Sequence, residues 1–140
     1  MSFTEQAVLF PCAGERLLGI LAVPDQAKTI GILIIVGGPQ TRVGSHRQFL
    51  LLSRALAEAG YPVMRFDYRG MGDSTGALRG FEMINEDIDA AIAAFRANCL
   101  QVERIVLWGL CDAASASLLY WDATEDPCIY GLVLLNPWVR

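Results

Sequence analysis

The chain has 140 residues, 54% of them hydrophobic and 19% charged, with a formal net charge of −4. That length holds one domain, residues 1–140, and a composition so rich in apolar residues builds a core, which excludes a disordered chain. The acidic balance and the single lysine, Lys28, leave no footprint for a nucleic-acid backbone or an anionic membrane surface. The longest apolar run, around Ile30–Val36, is too short to span a bilayer. The N-terminus, MSFTEQAVLF, lacks a basic segment leading an apolar one, so no signal peptide is read and the expected compartment is the cytoplasm. Cys12, Cys99, Cys111 and Cys128 are widely spaced, form no CxxC pair and share the chain with one histidine. A zinc site is therefore not expected, nor is any cofactor, and most of the thiols read as small apolar fillers.

Taken in order, Gln6–Cys12 and Arg16–Val23 read as two strands of a hairpin turned at Ala13-Gly14. Thr29–Val36, a continuous β-branched run, reads as a strand buried on both faces, stopped by Gly37-Gly38-Pro39. A polar loop, Gln40–Gly44, follows. Ser45 is the expected N-cap of a helix over His46–Ala59, with apolar positions at Phe49, Leu50, Leu52 and Leu56, and Gly60 closes it. Pro62–Phe66 is the next strand, and Asp67–Gly80 a long loop. Phe81–Cys99 reads as one helix, with Met83, Ile84, Ile88, Ile92 and Phe95 inward and Glu86, Asp87 and Asp89 outward. Arg104–Trp108 is a strand, Asp112–Tyr120 a helix and Gly131–Leu135 a last strand. A hairpin followed by alternating strands and helices predicts a mostly parallel, doubly wound α/β sheet with helices on both faces.

The chemistry gathers at Val106–Leu119, where an apolar strand meets a helix of small residues through Gly109-Leu110-Cys111-Asp112-Ala113. This is the pattern of a nucleophile elbow, with sulfur where the common motif has a serine oxygen. The residues two before and two after the nucleophile must be small for strand and helix to approach, and Gly109 and Ala113 are. The common motif has glycine at both places, so Ala113 is a mild departure. A thiolate is a strong nucleophile and is stabilised at a helix N-terminus. The backbone N–H of Asp112 would face the oxyanion formed when Cys111 attacks a carbonyl. A second donor is expected from the loop after the earlier parallel strand, where Gly38 is the candidate and Pro39, without an N–H, is not. Gln40, Arg42 and His46 stand around that loop as candidate substrate contacts, with Arg42 and Arg47 suited to an anionic group or, equally, to salt bridges.

Taken together, VGGPQTRVGSHRQF, FDYRGMGDSTG and GLCDAASASLL resemble the α/β-hydrolase superfamily, and more closely the exosortase A system-associated hydrolases of type 1. The resemblance runs along the whole chain. It implies the N-terminal part of an α/β-hydrolase fold, with a small acyl compound as substrate and a genetic association with exopolysaccharide and protein-sorting systems in bacteria. In that superfamily the acid and the histidine of the triad follow the nucleophile. Neither position is found after Cys111 here, so the chain reads as an apparently truncated domain that is inactive or nearly so by itself. His46 precedes the nucleophile, which argues against a role as catalytic base.

The remaining motifs take structural readings. FDYRGMGDSTG contains G-x-G-x-x-x-G, but no helix opens on the glycines, so a braced loop is expected, with Asp67 and Arg69 as the pairing ions. No G-x-x-x-x-G-K occurs, which excludes phosphate-loop chemistry. Trp108, Trp121 and Trp138 read as core and interface fillers, and Ser115 and Ser117 as helix-surface hydroxyls. The last strand, LVLL, reads as an open apolar edge. A self-associating, non-catalytic chain is therefore the competing reading, as a homodimer or with a complementing C-terminal half.

Overall fold

The computed structural model describes residues 2–36, 41–44 and 47–137. Strands β1 (Phe3–Cys12) and β2 (Glu15–Pro24) form the expected hairpin, turning at Ala13 and Gly14, both at positive φ (49° and 80°). Two-residue turns of that hand match the twist of the flanking strands. Four more strands follow: β3 (Ile30–Ile35), β4 (Val63–Asp67), β5 (Arg104–Leu110) and β6 (Ile129–Leu135). The described residues form one sheet in the order β1-β2-β4-β3-β5-β6. Strands β4, β3, β5 and β6 run parallel, while β2 is antiparallel to both β1 and β4.

Three helices cover the sheet: α1 (Gln48–Glu58), α2 (Asn85–Asn98) and α3 (Asp112–Thr124). Helix α1 lies on one face, where Phe49 packs with Ile32, Ile34, Val36 and Val63. Helices α2 and α3 lie on the other, over Leu33, Ile35, Met64, Phe66 and Leu107. The alternation along β3 divides its side chains between the two cores, which is why its sequence, IGILII, carries no polar side chain. Phe49 also meets Trp108 edge-on, with ring centroids 6.0 Å apart.

Helix α1 begins at Gln48, later than its expected start at His46; Ser45 and His46 lie outside the described residues. Its first turn is satisfied by the Val43 carbonyl, which accepts from the N–H groups of Phe49 (3.0 Å) and Leu50 (3.2 Å). Its end is a Schellman motif: Tyr61 N–H donates to the Leu56 carbonyl and Gly60 N–H to that of Ala57.

The segment Phe81–Cys99 departs from expectation. Phe81–Met83 is a short 3-10 turn, Ile84 leaves helical geometry (φ −116°, ψ 18°), and α2 starts at Asn85. Met83, assigned inward, is 62% exposed, and Asp87, assigned outward, is fully buried. The cause is an ion pair that periodicity does not show. Asp87, in the first turn of α2, turns inward to Arg69, accepting from its backbone N–H (2.8 Å) and from Nη2 (2.7 Å). Ser115 and Ser117 are likewise buried rather than on the helix surface, because α3 is packed deeply enough to bury that face. Ser117 Oγ donates back to the Ala113 carbonyl at 2.8 Å. Trp121 is 38% exposed and so is no core residue; Trp138 lies outside the described residues.

Strand β6 pairs with β5 and, among the described residues, with no other strand, leaving Tyr130, Val133 and Leu135 exposed.

Candidate active site

Strand order places the site. From β3 the chain crosses to β4 on one side, and later to β5 on the other. The carboxyl ends of β3 and β5 therefore flank a topological switch point, where open α/β sheets form their crevice. Ile35 of β3 pairs with Gly109 of β5, so Val36, Leu110 and Cys111 leave the sheet side by side.

Cys111 sits between β5 and α3 at φ 57° and ψ −117°. No side chain adopts that backbone without strain, and such strain persists only where the surroundings enforce it. Two things enforce it here. Cys111 N–H donates to the Leu135 carbonyl at 2.8 Å, and the Cys111 carbonyl accepts from Ala114 (3.0 Å) and Ser115 (3.2 Å). The turn is also so tight that a Cβ added to Gly109 would lie 2.5 Å from the Ala113 carbonyl carbon and oxygen. Glycine at that position is thus required by close approach, and Ala113 fills its own place at 1% exposure. Of the four cysteines, Cys12, Cys99 and Cys128 are buried and Cys111 is exposed. Burial pushes the thiols of Cys12, Cys99 and Cys128 above their ordinary range, which keeps them protonated and inert. The Asp112 N–H, first of α3, takes no partner among the described residues.

Gly38, Gln40 and His46 lie outside the described residues. The chain re-enters at Thr41–Gly44, and there Arg42 is fixed. Its backbone N–H donates to Asp67 Oδ1 at 2.7 Å, and its guanidinium pairs with Asp67 Oδ2 and, at 2.9 Å, with Asp73 Oδ2. These partners hold the Arg42 charge and raise its pKa against the lowering effect of burial. Asp67 does not pair with Arg69, as expected from sequence; it pairs with Arg42, and Arg69 pairs with Asp87. Asp67 is the last residue of β4, whereas Arg69 lies beyond it in the turn, where its guanidinium reaches Asp87 at the start of α2.

The rest of FDYRGMGDSTG is bound to β2. Leu18 N–H donates to Ser74 Oγ (3.0 Å), Arg16 N–H to Thr75 Oγ1 (2.8 Å), and Ser74 Oγ to the Asp67 carbonyl. Gly72, at φ 50°, lies so close to Asp67 that a Cβ there would collide with the carboxylate. A pocket of about 420 Å³ opens between this loop and α3. Tyr68, Met71 and Leu78 line it with Arg79, Gly80, Phe81 and Asp112. Sequence reasoning missed this pocket, since its walls come from a loop and a 3-10 turn without periodicity.

A strained strand-to-helix turn that exposes its central side chain, here Cys111, over a parallel sheet at its switch point is the backbone arrangement of α/β hydrolases. The family described as serine aminopeptidase, S33, matches residues 27–140. The chain belongs to this hydrolase family. A stretch of 46 residues, 33% of the chain, is 48% identical to the lysophosphatidylserine lipase ABHD12 of Xenopus tropicalis, of which it covers 11%. The esterase Pf2001 of Pyrococcus furiosus superposes with a TM-score of 0.82 at 20% identity, over 96% of this chain and 52% of the esterase. Est1E of Butyrivibrio proteoclasticus, solved with ferulic acid, superposes at 0.78 and 24% identity, over 94% of this chain and 53% of Est1E. The chain thus spans about half the length of these structures, and at these identities they show the fold. The family is described by its serine, whereas the elbow of this S33-family chain carries Cys111.

No helix among the described residues is long and apolar enough to cross a membrane, and no cluster of metal-ligating side chains occurs among them.

Proposed function

We propose that this chain carries the nucleophile half of an acyl-transfer site, acting on an ester, thioester or related small acyl substrate through Cys111. The observation that carries the reading is the exposed Cys111 at φ 57°, held at the head of α3 beside the Asp112 N–H, which has no partner among the described residues. In the reaction, the Cys111 sulfur attacks the carbonyl carbon. The resulting oxyanion accepts hydrogen bonds from Asp112 N–H and from Gly38 N–H. Collapse expels the alcohol or thiol leaving group and leaves a thioester on sulfur. Water attacking the thioester then needs a base, and so does an alcohol leaving group need a proton donor. The one histidine of these 140 residues, His46, precedes the nucleophile. Acylation without efficient turnover is therefore the activity assigned to the chain alone.

Gln40 and His46 are assigned to the substrate side of the oxyanion loop. Arg42 is assigned a bracing part instead, because Asp67 and Asp73 already occupy its guanidinium. The lipase and esterase names among the relatives support an ester class of substrate. Association with exosortase and exopolysaccharide systems in bacteria, and a cytoplasmic site of action, rest on the motif resemblance.

The test is acylation by an activated nitrophenyl ester near neutral pH, with mass spectrometry to locate the adduct. The expected result is one acyl group, on Cys111, and none on Cys111→Ala. Labelling spread evenly over the four thiols would overturn the reading.

A second reading is favoured by β6. Its free edge and exposed Tyr130, Val133 and Leu135 suit pairing with a second copy or a complementing segment. Size-exclusion chromatography separates the two: a clean monomer that acylates at Cys111 removes the non-catalytic alternative.

A further inference from the structure

The pocket beside the elbow contains one feature that acyl transfer leaves unused. Arg79 lines it from the loop ahead of the 3-10 turn, and its Nε is buried without a hydrogen-bond partner among the described residues. Among the described residues Arg79 also forms no ion pair. Arg42 and Arg69 are each paired with a buried carboxylate, and Arg65, whose Nε is also without a partner, donates from Nη1 to the Arg42 carbonyl and faces Glu5. With Nε buried, the guanidinium meets this pocket through its remaining N–H groups, and a cation at a pocket wall with no carboxylate paired to it among the described residues is a ready counterion for an anionic oxygen. The opposite wall, α3, contributes Asp112, whose backbone N–H belongs to the oxyanion site. The Asp112 carboxylate lies near Tyr68 and, after burial, is the next cause that pushes the Tyr68 phenol up. Met71, Leu78 and Phe81 supply apolar surface between the charges. A volume of about 420 Å³ holds a short acyl chain with a polar end.

We propose that Arg79 is a specificity-determining residue that selects acyl substrates bearing an anionic group, a carboxylate or a phosphate, in this pocket. The inference rests on Cys111 as acyl acceptor, since that places the reacting carbonyl at the Asp112 wall. The anionic end then lies toward Arg79, away from the Asp112 carboxylate that would repel it. A neutral acyl chain fills the same space but leaves the Arg79 charge without a counterion.

The experiment compares Cys111 acylation rates with two nitrophenyl esters of matched length, the anionic glutarate half-ester and the neutral pentanoate. The wild type is expected to prefer the half-ester. In Arg79→Gln that preference should fall by about tenfold, the size of a charge-assisted hydrogen bond, with the pentanoate rate little changed. Arg79→Lys should recover part of the preference, and Asp112→Asn should raise it. An unchanged ratio in a folded Arg79→Gln protein, checked by circular dichroism, overturns the proposal. A second readout does not depend on the sulfur: free glutarate should raise the melting temperature of the wild type and not of Arg79→Gln. If neither ester reaches Cys111 while glutarate still stabilises through Arg79, the acyl-acceptor reading fails and the anion site stands. If the half-ester is not preferred and glutarate does not stabilise, the anion site fails.

Discussion

Asp67 and Asp87 are both fully buried, both face an arginine and both hold the loop that follows β4. They differ in how far their bonds reach. Asp87 spends all of its bonds on one residue: Arg69 gives it backbone N–H, Nε and Nη2. That pair ties α2 to the turn that follows β4. Asp67 spreads its bonds over two segments, Arg42 just after residues 37–40 and Asp73 in its own loop, whose N–H donates at 3.3 Å. A carboxylate that closes on a single arginine fixes the fold, while one that spans separate segments fixes their relative position. Residues 37–40 connect Val36, just past β3, to the segment that Asp67 holds through Arg42. If Gly38 supplies an oxyanion donor as proposed, Asp67 is a positioning residue for it, and Asp87 is not.

The largest expected effect breaks the fold half of the comparison. Asp87→Ala leaves the Arg69 guanidinium, 4% exposed, buried without its partner. Removing one member of a buried pair costs about 3–5 kcal/mol. Urea unfolding should show a midpoint shift of that size with an unchanged slope. In the fraction still folded, the rate of Cys111 acylation should stay near the wild-type value.

Asp67→Ala tests the other half. The expected stability loss is smaller, about 2–3 kcal/mol, because Arg42 is partly solvated (18% exposed) and retains Asp73. Acylation of Cys111 should nevertheless fall by about tenfold, since loss of one well-placed oxyanion donor costs at least that much. Equal acylation rates in the two variants would remove the distinction drawn between the carboxylates.

Tyr120 sharpens the comparison by using a neutral donor in place of an arginine. Its ring is 1% exposed, and its hydroxyl donates to Asp126 Oδ2 (2.8 Å) and lies 3.2 Å from Asp89 Oδ1. Burial first, then the Asp126 and Asp89 carboxylates, push the phenol far above its ordinary value. An unfolded tyrosine ionises near pH 10, as expected of an exposed phenol, while the folded one keeps its proton. The contribution of Tyr120 is therefore fully present below about pH 10 and is lost as pH rises beyond it. Tyr120→Phe should cost about 1–2 kcal/mol at pH 7 and flatten the alkaline limb of a stability–pH curve.

How much of this was legible in the sequence follows from the kind of signal each part leaves. Strands such as Thr29–Val36 announce themselves by continuous β-branched residues, and the elbow by small residues at fixed places around Cys111. The sheet and the strand-to-helix turn at Cys111 were readable for that reason, while strand ends moved by at most three residues. The partners of Asp67, Arg69 and Asp87 were not readable. Helical periodicity assigns Asp87 outward, because a charged residue in an amphipathic pattern belongs to solvent unless a partner waits inside. The partner, Arg69, comes from a different strand end, and only the topology brings the two together. The same holds for the Arg79 pocket, whose walls come from a loop and a helix turn more than thirty residues apart in sequence.

The smallest expected effect isolates which acceptor anchors Arg42. Asp73 meets the same guanidinium nitrogen as Asp67, at 2.9 Å, but its side chain is 65% exposed. Exposed ion pairs contribute at most about 1 kcal/mol, because water competes for both charges. Asp73→Asn keeps the backbone N–H that donates to Asp67 and removes the second charge alone. It should change stability by no more than about 0.5 kcal/mol and leave Cys111 acylation within twofold of wild type. A loss matching that of Asp67→Ala would mean that the loop is held by the exposed carboxylate. The bonds of the buried Asp67 to Arg42 would then be a consequence of the loop's position and not its cause.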